Sequence, residues 1–242
     1  MAILRCVNVT QRFGELAAVD DVSFEVEEGE VFGIAGPNGA GKTTLFNVIT
    51  GFYKGTGKIF FDNENILGLK THQICHKGIV RTFQIPTLFL TLSMLENVIV
   101  GAHYGRQGAH GELERAYEAI ELTGLKGKEN IIAENLNLFD KKRTMLAAGL
   151  ATKPKLFLLD EPIGGLSPTE TTDFINLVKQ LNQETGLTII IIEHLMKVLT
   201  ELSARMMILH NGERIALGPP QEVCSNQKVL DVYLGSKHHA CG

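Results

Sequence analysis

The segment GPNGAGKTT, residues 36 to 44, constrains the fold of this chain more than any other part of its sequence. It matches the phosphate-loop pattern G-x-x-x-x-G-K-[ST], follows the strand-like EVFGIA and precedes the helix-like TTLFNVIT. The glycines let the backbone turn its N–H groups inward, and the helix that begins near Lys42 adds the positive end of its dipole. The sequence therefore predicts a phosphate-binding loop between a strand and a helix.

The residues of this loop have distinct expected contacts with a nucleoside triphosphate. The Lys42 ammonium can reach the β and γ phosphates, and the Thr43 hydroxyl is a suitable ligand for Mg2+. The residues expected to surround the phosphates are Gly36, Asn38, Gly39, Ala40, Gly41, Lys42, Thr43 and Thr44. A glycine-rich turn before an ordinary helix is the alternative interpretation.

A second motif, LFLLDE at residues 156 to 161, predicts a buried strand that ends in two carboxylates. In open α/β folds, ligands bind at the edge where parallel strands end. We expect Asp160 to hold Mg2+ with its water shell and Glu161 to polarise the attacking water. The alternative is that the two acids only cap the start of a helix.

Hydrophobic periodicity indicates strands early in the chain and a strand, helix and strand later. DVSFEVEEGEVFGIAG and GKIFFDN alternate as short strands do, whereas KLFLLDEP and LTIIIIEH are continuous apolar runs on either side of a helix. This order predicts a parallel βαβ unit. Ser167, Pro168 and Glu170 form a start signal for the helix, and Gly186 is placed to end it. MMILHNGERIAL predicts a hairpin that turns at Asn211 and Gly212.

The middle of the chain, from about Leu92 to Ala151, contains no continuous apolar strand. The segment ELERAYEAIELTGL there has helical periodicity. Its apolar stripe would contain Leu113, Tyr117, Ile120 and Gly124. We therefore expect a helical subdomain inserted between two parts of a sheet-containing core.

Composition excludes several other classes of protein. A chain of 242 residues with 44% hydrophobic content can bury a substantial core, and a net charge of −4 gives no reason to expect a nucleic-acid partner. Cys6, Cys75, Cys224 and Cys241 lack the close spacing of a metal site, so we expect reduced thiols. No apolar run is long enough to cross a bilayer and the N-terminus lacks signal-peptide order, so a membrane role would be peripheral.

Taken together, these motifs resemble the ATP-binding cassette (ABC) family of transport ATPases over nearly the whole chain. The resemblance implies that Phe13, which lies 23 positions before Gly36, stacks on adenine. It also implies that Gln84 contacts Mg2+ and senses the membrane subunit, and that His194 contacts the γ-phosphate. A core position for Phe13 and a strand-end hydrogen bond for His194 are the alternatives. The GLSP segment, residues 165 to 168, matches a loop that contacts the second subunit of the dimer.

Longer phrases resemble the ATP-binding subunits of branched-chain amino acid importers: LFNVITGFYKGTGKIFFD, GIVRTFQIPTLFLTLSMLENV and VYLG. The resemblance implies an ATP hydrolase that uses Mg2+, with Lys42, Glu161 and His194 as catalytic residues. Its partners would be integral-membrane permease subunits, a second ATP-binding subunit and, indirectly, an extracytoplasmic binding protein. It would lie at the cytoplasmic face of the membrane, with residues 79 to 99 flanking the region that docks on the permease.

The expected fold class is α/β, with a P-loop NTPase core of the ABC type, an antiparallel β subdomain and the inserted helical subdomain. We expect a single domain over residues 1–242. The nucleotide-binding core would consist of residues 1–91 and 152–242, and the helical subdomain of residues 92–151.

One segment departs from the family pattern. The signature L-S-G-G-Q normally begins 24 residues before the first acid of the DE pair, and LNLFD, Leu136 to Asp140, stands at that place. In the family, this segment binds the γ-phosphate held by the other subunit. Phe139 would keep the backbone away from a phosphate, and Asp140 would bring a negative charge towards it, although Asn137 can still cap a helix. The alternatives are that the alignment with the signature is shifted along the chain, or that another local interaction preserves the contact with the phosphate.

Three other functions stay open on the sequence alone. A soluble ABC protein could couple ATP to work other than transport, and a regulatory cassette could bind ATP with little hydrolysis because of its altered signature. A small-molecule kinase with a phosphate loop is the third function, but such an enzyme would not need Gln84, LLDEP and His194 in this order. Glu161 argues for turnover, whereas the altered signature argues against it in a homodimer.

Overall fold

A computed structural model describes residues 1–106, 108 and 110–234 of the chain. It forms two compact units: the first contains Met1–Ile74 and the described residues from Thr188 onward, and the second contains Cys75–Leu187. The subdomain boundaries that we expect after residues 91 and 151 stay a prediction.

The strands are β1 (Ala2–Phe13), β2 (Leu16–Glu27), β3 (Val31–Ala35), β4 (Thr56–Phe61), β5 (Glu64–Asn65), β6 (Ile79–Arg81), β7 (Leu156–Asp160), β8 (Thr188–Ile192), β9 (Arg205–His210) and β10 (Glu213–Gly218). The helices are α1 (Lys42–Ile49), α2 (Thr71–Lys77), α3 (Met94–Tyr104), α4 (Glu112–Leu122), α5 (Leu138–Ala151), α6 (Pro168–Thr185), α7 (Met196–Leu202), α8 (Pro220–Ser225) and α9 (Gln227–Leu234). A short 3-10 helix, Ala133–Asn135, precedes α5.

The first unit contains an antiparallel sheet and a mainly parallel one. The antiparallel sheet has the order β2-β1-β4-β5, which confirms the predicted β subdomain. In the other sheet, β3 lies between β8 and β9 and is parallel to both. Every residue of β3 is buried, as expected for a central parallel strand. The phosphate loop therefore leaves from the middle of a rigid sheet.

The predicted hairpin is present in the first unit. β9 and β10 pair antiparallel, with His210 opposite Glu213. Asn211 and Gly212 have φ angles of 49° and 83°, and such positive values at both central residues are typical of a tight two-residue turn.

The second unit contains the parallel pair β6 and β7, the mutually packed helices α3, α4 and α5, and the helix α6. The start signal of α6 is confirmed: the Ser167 hydroxyl accepts the Glu170 N–H, and the Glu170 carboxylate accepts the Ser167 N–H. Gly186 ends the helix in the left-handed conformation, with φ 66°.

The predicted apolar stripe of α4 is wrong in part. Leu113 and Tyr117 are about half exposed, at 50% and 47%, and Gly124 lies beyond the end of the helix. The buried residues of α4 are Arg115, Ala116, Ala119 and Ile120. The reason is that the Arg115 guanidinium donates hydrogen bonds to the carbonyls of Ala102, Gly108 and Ala151. A charged side chain whose donors are satisfied can occupy a buried position that a stripe of apolar residues would not reveal.

Within the described residues, no helix combines the length and the hydropathy of a membrane-spanning segment. Cys6 is buried, and Cys75 and Cys224 are partly exposed; all three are free thiols. Cys241 lies outside the described residues.

Candidate nucleotide-binding site

The phosphate loop connects β3 to α1 in the first unit, and its glycines are required by close backbone contacts. Gly36 and Gly41 have φ angles of 150° and 101°. A Cβ at Gly36 would lie 2.2 Å from the carbonyl oxygen of Leu209, and one at Gly41 would lie 2.2 Å from that of Ala18. The strands on either side of the loop therefore leave no room for a side chain at these positions.

Helix α1 begins without a side-chain cap. Its N-cap residue is Gly41, and its first turn contains no acidic residue. The loop is fixed from outside, because the Gly212 N–H of the β9–β10 turn donates to the carbonyl oxygen of Ala40 over 3.1 Å. A helix N-terminus in this state presents backbone N–H groups and a positive dipole end to an anion.

Lys42 is held within the loop, where the sequence analysis places it. Its side chain is buried, and its Nζ donates to the carbonyl oxygens of Gly36 and Pro37 over 2.7 and 3.0 Å. Thr43, the next residue, is exposed. The ammonium and the hydroxyl therefore stand at the first turn of the same helix.

Phe13 ends β1 and is 45% exposed, so the alternative of a core phenylalanine is wrong. Its ring contacts Tyr53 edge to face, with 5.1 Å between the ring centroids. Tyr53 was not among the residues predicted from the sequence, where the only available signal is an aromatic residue shortly after the phosphate-loop helix. Together the two rings form an exposed aromatic pair on the first unit, of the kind on which a purine base can stack.

His194 follows β8 on the first unit. Its side chain is half exposed, and its Nδ1 lies 3.8 Å from the carboxylate of the fully buried Glu193, too far for a hydrogen bond. The ring therefore stands at the end of a central parallel strand with much of its surface exposed.

Asp160 ends β7 in the second unit and forms a buried ion pair. The Nη2 of Arg81 donates to its Oδ2 over 2.6 Å, and both side chains are about 5% exposed or less. Arg81 was not among the site residues predicted from the sequence. The available signal was that Arg81 and Asp160 both end apolar runs, and parallel neighbouring strands end at the same edge of a sheet.

Gln84 and Glu161, two predicted site residues, are brought together in the second unit. The Gln84 amide Nε2 donates to Oε2 of Glu161 over 2.9 Å. Glu161 has a φ of 46°, a left-handed value that is uncommon outside glycine. The next helix begins only at Pro168 with Ser167 as its cap, so the alternative that the acids cap a helix is wrong. Unusual backbone geometry of this kind is found preferentially at functional sites.

The segment in the place of the signature begins helix α5 and is capped by its own side chains. Asn137 accepts the Asp140 N–H on its side-chain oxygen over 2.7 Å. The Asp140 carboxylate is buried and pairs with Lys128, over 2.5 Å, and with Arg143. The expectation that Asp140 turns a negative charge towards a bound phosphate is therefore wrong, because two cations neutralise that charge inside the second unit.

The pKa of Asp140 reflects this cluster. Burial by itself raises the pKa, but hydrogen bonds from Lys128 and Arg143 and the charges of both cations outweigh it. The pKa therefore lies below the ordinary value, and Asp140 is ionised at neutral pH. The guanidinium of Arg143 also lies over the ring of Phe139, 4.4 Å from its centroid, and holds that ring in place.

The candidate metal-binding residues suit Mg2+ chemically. The Thr43 hydroxyl, the Asp160 carboxylate and the amide oxygen of Gln84 are hard oxygen donors. No group of three or more His, Cys, Asp or Glu side chains within the described ranges could hold a metal by itself. Mg2+ usually keeps several waters and takes one or two carboxylates together with phosphate oxygens.

Comparison with known families and proteins gives consistent matches. Residues 19–164 match the family described as "ABC transporter", and residues 213–239 match "Branched-chain amino acid ATP-binding cassette transporter". The high-affinity branched-chain amino acid transport ATP-binding protein BraF of Pseudomonas aeruginosa is 37% identical over 96% of this chain and 98% of its own length. The corresponding LivG protein of Escherichia coli K12 is 36% identical with the same coverage.

Solved structures agree with these matches. The ADP conformation of MJ1267, an ATP-binding cassette of an ABC transporter, has a TM-score of 0.88 and 34% identity, and the match covers 97% of this chain and 99% of that one. A dimeric post-hydrolysis state of the cassette MJ0796, bound to ADP and Pi, has a TM-score of 0.78 and 28% identity over 90% of this chain and 98% of that one. The likeness extends over the whole of each solved cassette.

Proposed function

Because the chain belongs to the ABC transporter family of ATPases, we propose that it powers the import of branched-chain or other hydrophobic amino acids. The observation that carries this proposal is the end-to-end match to BraF and LivG, which includes the C-terminal segment at residues 213–239. The phosphate loop alone would support only nucleotide binding. The match to transport proteins over 96% of the chain supports the coupling of hydrolysis to transport.

The first unit supplies the groups proposed to bind ATP. Backbone N–H groups of residues 36–44 and the dipole of α1 would bind the phosphates, and Lys42 would add its charge at the β and γ positions. The exposed pair Phe13 and Tyr53 would stack on adenine, and His194 would donate to the γ-phosphate. Thr43 would be a ligand of Mg2+.

The second unit supplies the acids proposed for hydrolysis. Glu161 is the general base: the hydrogen bond from Gln84 occupies its Oε2 and orients the carboxylate so that Oε1 can accept a proton from water. The Asp160 carboxylate and the amide oxygen of Gln84 would bind Mg2+. When bound, Mg2+ would neutralise part of the negative charge of the phosphates.

The proposed permease contact lies in the segment that follows Gln84. Ile85, Phe89 and Leu90 are exposed at 76%, 58% and 48%, within the residues 79 to 99 that the family resemblance connects with docking. Exposed apolar side chains this close in sequence are typical of protein interfaces. The chain would bind the cytoplasmic side of the permease as a peripheral subunit, and the permease and binding protein would contact the amino acid.

A second ATP-binding subunit is proposed as the other partner. The dimeric cassette structure supports pairing of two such chains, and the GLSP segment is where the family makes that contact. Leu138 lies close to this segment, since a Cβ at Gly165 would come within 3.0 Å of its side chain. The relatives named above are transport subunits, so a regulatory or non-transport role is not favoured.

The test is ATP hydrolysis and amino acid uptake by the chain assembled with its permease and partner subunit. Glu161→Gln should keep ATP binding, trap a nucleotide-bound dimer and lower turnover by about 10² to 10⁴-fold, because only the base is lost. Glu184→Gln, an exposed acid on α6, is the matched control and should hydrolyse ATP normally. Undiminished hydrolysis by Glu161→Gln would show that Glu161 is not the base. ATP-driven uptake of leucine, isoleucine or valine is expected, and hydrolysis without uptake of any of them or of other hydrophobic amino acids would overturn the proposed substrate class.

A further inference from the structure

Two side chains at the end of β6 contact the two carboxylates at the end of β7. Arg81 donates to Oδ2 of Asp160 over 2.6 Å, and Gln84 donates to Oε2 of Glu161 over 2.9 Å. β6 and β7 are parallel neighbours with Arg81 opposite Leu158, so their ends meet at the same edge. The resemblance to the family assigns a role to Gln84 and none to Arg81.

The geometry of Arg81 suits the orientation of a carboxylate. Its guanidinium lies 5.1 Å from the ring centroid of Phe83, and its side chain is as buried as that of Asp160. A planar guanidinium fixes the direction of its hydrogen bonds better than an ammonium does. Arg81 engages Oδ2 of Asp160, and a directional hydrogen bond to one oxygen limits the rotation of the whole carboxylate.

We propose that Arg81 is a positioning residue that holds the Asp160 carboxylate in the orientation in which it binds the divalent cation of the ATPase site. This inference rests on the proposed function, in which Asp160 is a ligand of Mg2+. Loss of a partner that orients a metal ligand typically lowers metal affinity by about 10 to 100-fold. If Arg81 only repelled the cation by its charge, removing it would strengthen metal binding, so the sign of the change decides between the two roles.

The experiment measures Mn2+ binding to the full chain by electron paramagnetic resonance, in the presence of a non-hydrolysable ATP analogue. Arg81→Gln should weaken Mn2+ binding by about 10 to 100-fold, and Arg81→Lys should recover part of the loss because the charge returns without the planar fork. Binding of the analogue in the presence of EDTA should stay unchanged, because the phosphate loop keeps Lys42. If Arg81→Gln does not fold, Arg81→Lys carries the test with an expected loss of about tenfold.

The ion pair between Arg205 and Glu30 in the first unit provides the matched control. Arg205 Nε lies 2.7 Å from Glu30 Oε1, and the side chains of Arg205 and Glu30 are 30% and 7% exposed. Arg205→Gln should lower thermal stability, as loss of a partly buried pair does, and leave Mn2+ affinity unchanged. Equal weakening by Arg81→Gln and Arg205→Gln, or unchanged Mn2+ binding in folded Arg81→Gln, would overturn the positioning role. Wild-type protein that binds the analogue but no Mn2+ would overturn the proposed metal site itself.

Discussion

Helix α1 begins at the phosphate loop and helix α5 begins at the segment expected in the place of the family signature, yet their first turns differ. α1 follows Gly41, has no side-chain cap and carries no acid in its first turn. α5 follows Asn137, whose side chain accepts the Asp140 N–H, and it carries a buried acid in its first turn. One helix start is open to an anion, and the chain's own side chains already occupy the other.

The difference indicates that helix formation and phosphate binding are separate properties of a helix N-terminus. Asn137 and Asp140 complement the N–H groups and the dipole of α5, which stabilises the helix and removes its attraction for an external anion. The chain therefore keeps a complete phosphate loop of its own, and in the proposed dimer it would contribute an altered segment to the site of its partner. In a head-to-tail dimer with a partner that has an intact signature, one ATP site would be competent and the other impaired.

The largest effect is expected from a substitution at the start of α1, which is open to an anion. Lys42→Ala removes the charge proposed for the β and γ phosphates and should weaken ATP binding by about a hundredfold, since charge-assisted hydrogen bonds of this kind contribute up to about 3 kcal/mol. Lys58→Ala, an exposed lysine on β4, is the control and should bind ATP normally. Fluorescent nucleotide titration measures both. Unchanged affinity in folded Lys42→Ala would rule out the phosphate-loop assignment.

The start of α1 could be predicted from the sequence because all of the residues that determine its structure lie within nine positions of the chain. The same is true of the α6 capping box at Ser167 and Glu170 and of the turn at Asn211 and Gly212. Local signals of this kind depend on backbone conformation and near neighbours, which periodicity and turn chemistry describe well.

The side-chain partners of the acids could not be predicted in the same way. Asp140 turns inward because Lys128, twelve residues earlier in the chain, reaches it, and Asp160 is paired with Arg81 from another strand, 79 residues away. Arg115 changed part of the predicted buried face of α4 for the same reason, since its acceptors include the carbonyls of Ala102 in α3 and Ala151 in α5. Such contacts depend on tertiary packing, which local sequence patterns do not contain.

The second prediction concerns the cluster of Asp140, Lys128 and Arg143 at the start of α5. Asp140→Asn removes the charge paired with Lys128 and Arg143 and should lower the free energy of unfolding by about 2 kcal/mol at neutral pH, measured by urea denaturation. Asp173→Asn, an exposed acid on α6, is the control with little expected effect.

The pH dependence gives the same prediction a second measurement. The pKa of Asp140 in the folded chain lies below its ordinary value of 3.8, so its stabilisation is present above that value. The stabilisation falls as the pH drops below 3.8 and is lost once the pH passes the lower folded-state pKa. The difference between wild type and Asp140→Asn should therefore shrink in acid. A difference that persists undiminished there would contradict the charge pairing.

The third prediction concerns variants in which a phosphate can approach the start of α5. Leu138→Gly with Phe139→Gly restores both glycines of the signature and leaves the Asp140 cluster in place, and it should raise ATP turnover of the isolated chain by about tenfold. Adding Asn137→Ser and Asp140→Gln restores the full signature and should also lower stability, because the buried pairs are lost. The complex with an intact partner subunit should gain less, since one of its sites is already competent. Rapid turnover by the unmodified isolated chain, with no gain in either variant, would overturn the asymmetric dimer.

The smallest expected effect separates the cap from the steric block at the start of α5. Asn137→Ala removes the acceptor for the Asp140 N–H and should cost about 1 kcal/mol of stability, whereas Asn137→Ser, another good cap, should keep most of it. Asn135→Ala, an exposed asparagine of the preceding 3-10 helix, is the matched control. ATP turnover of isolated Asn137→Ala should stay as low as in wild type, because Phe139, held beneath Arg143, still keeps the backbone from a phosphate. A rise in turnover on removal of the cap alone would mean that hydrogen bonding by Asn137, and not the bulk of Phe139, closes this helix start to ATP.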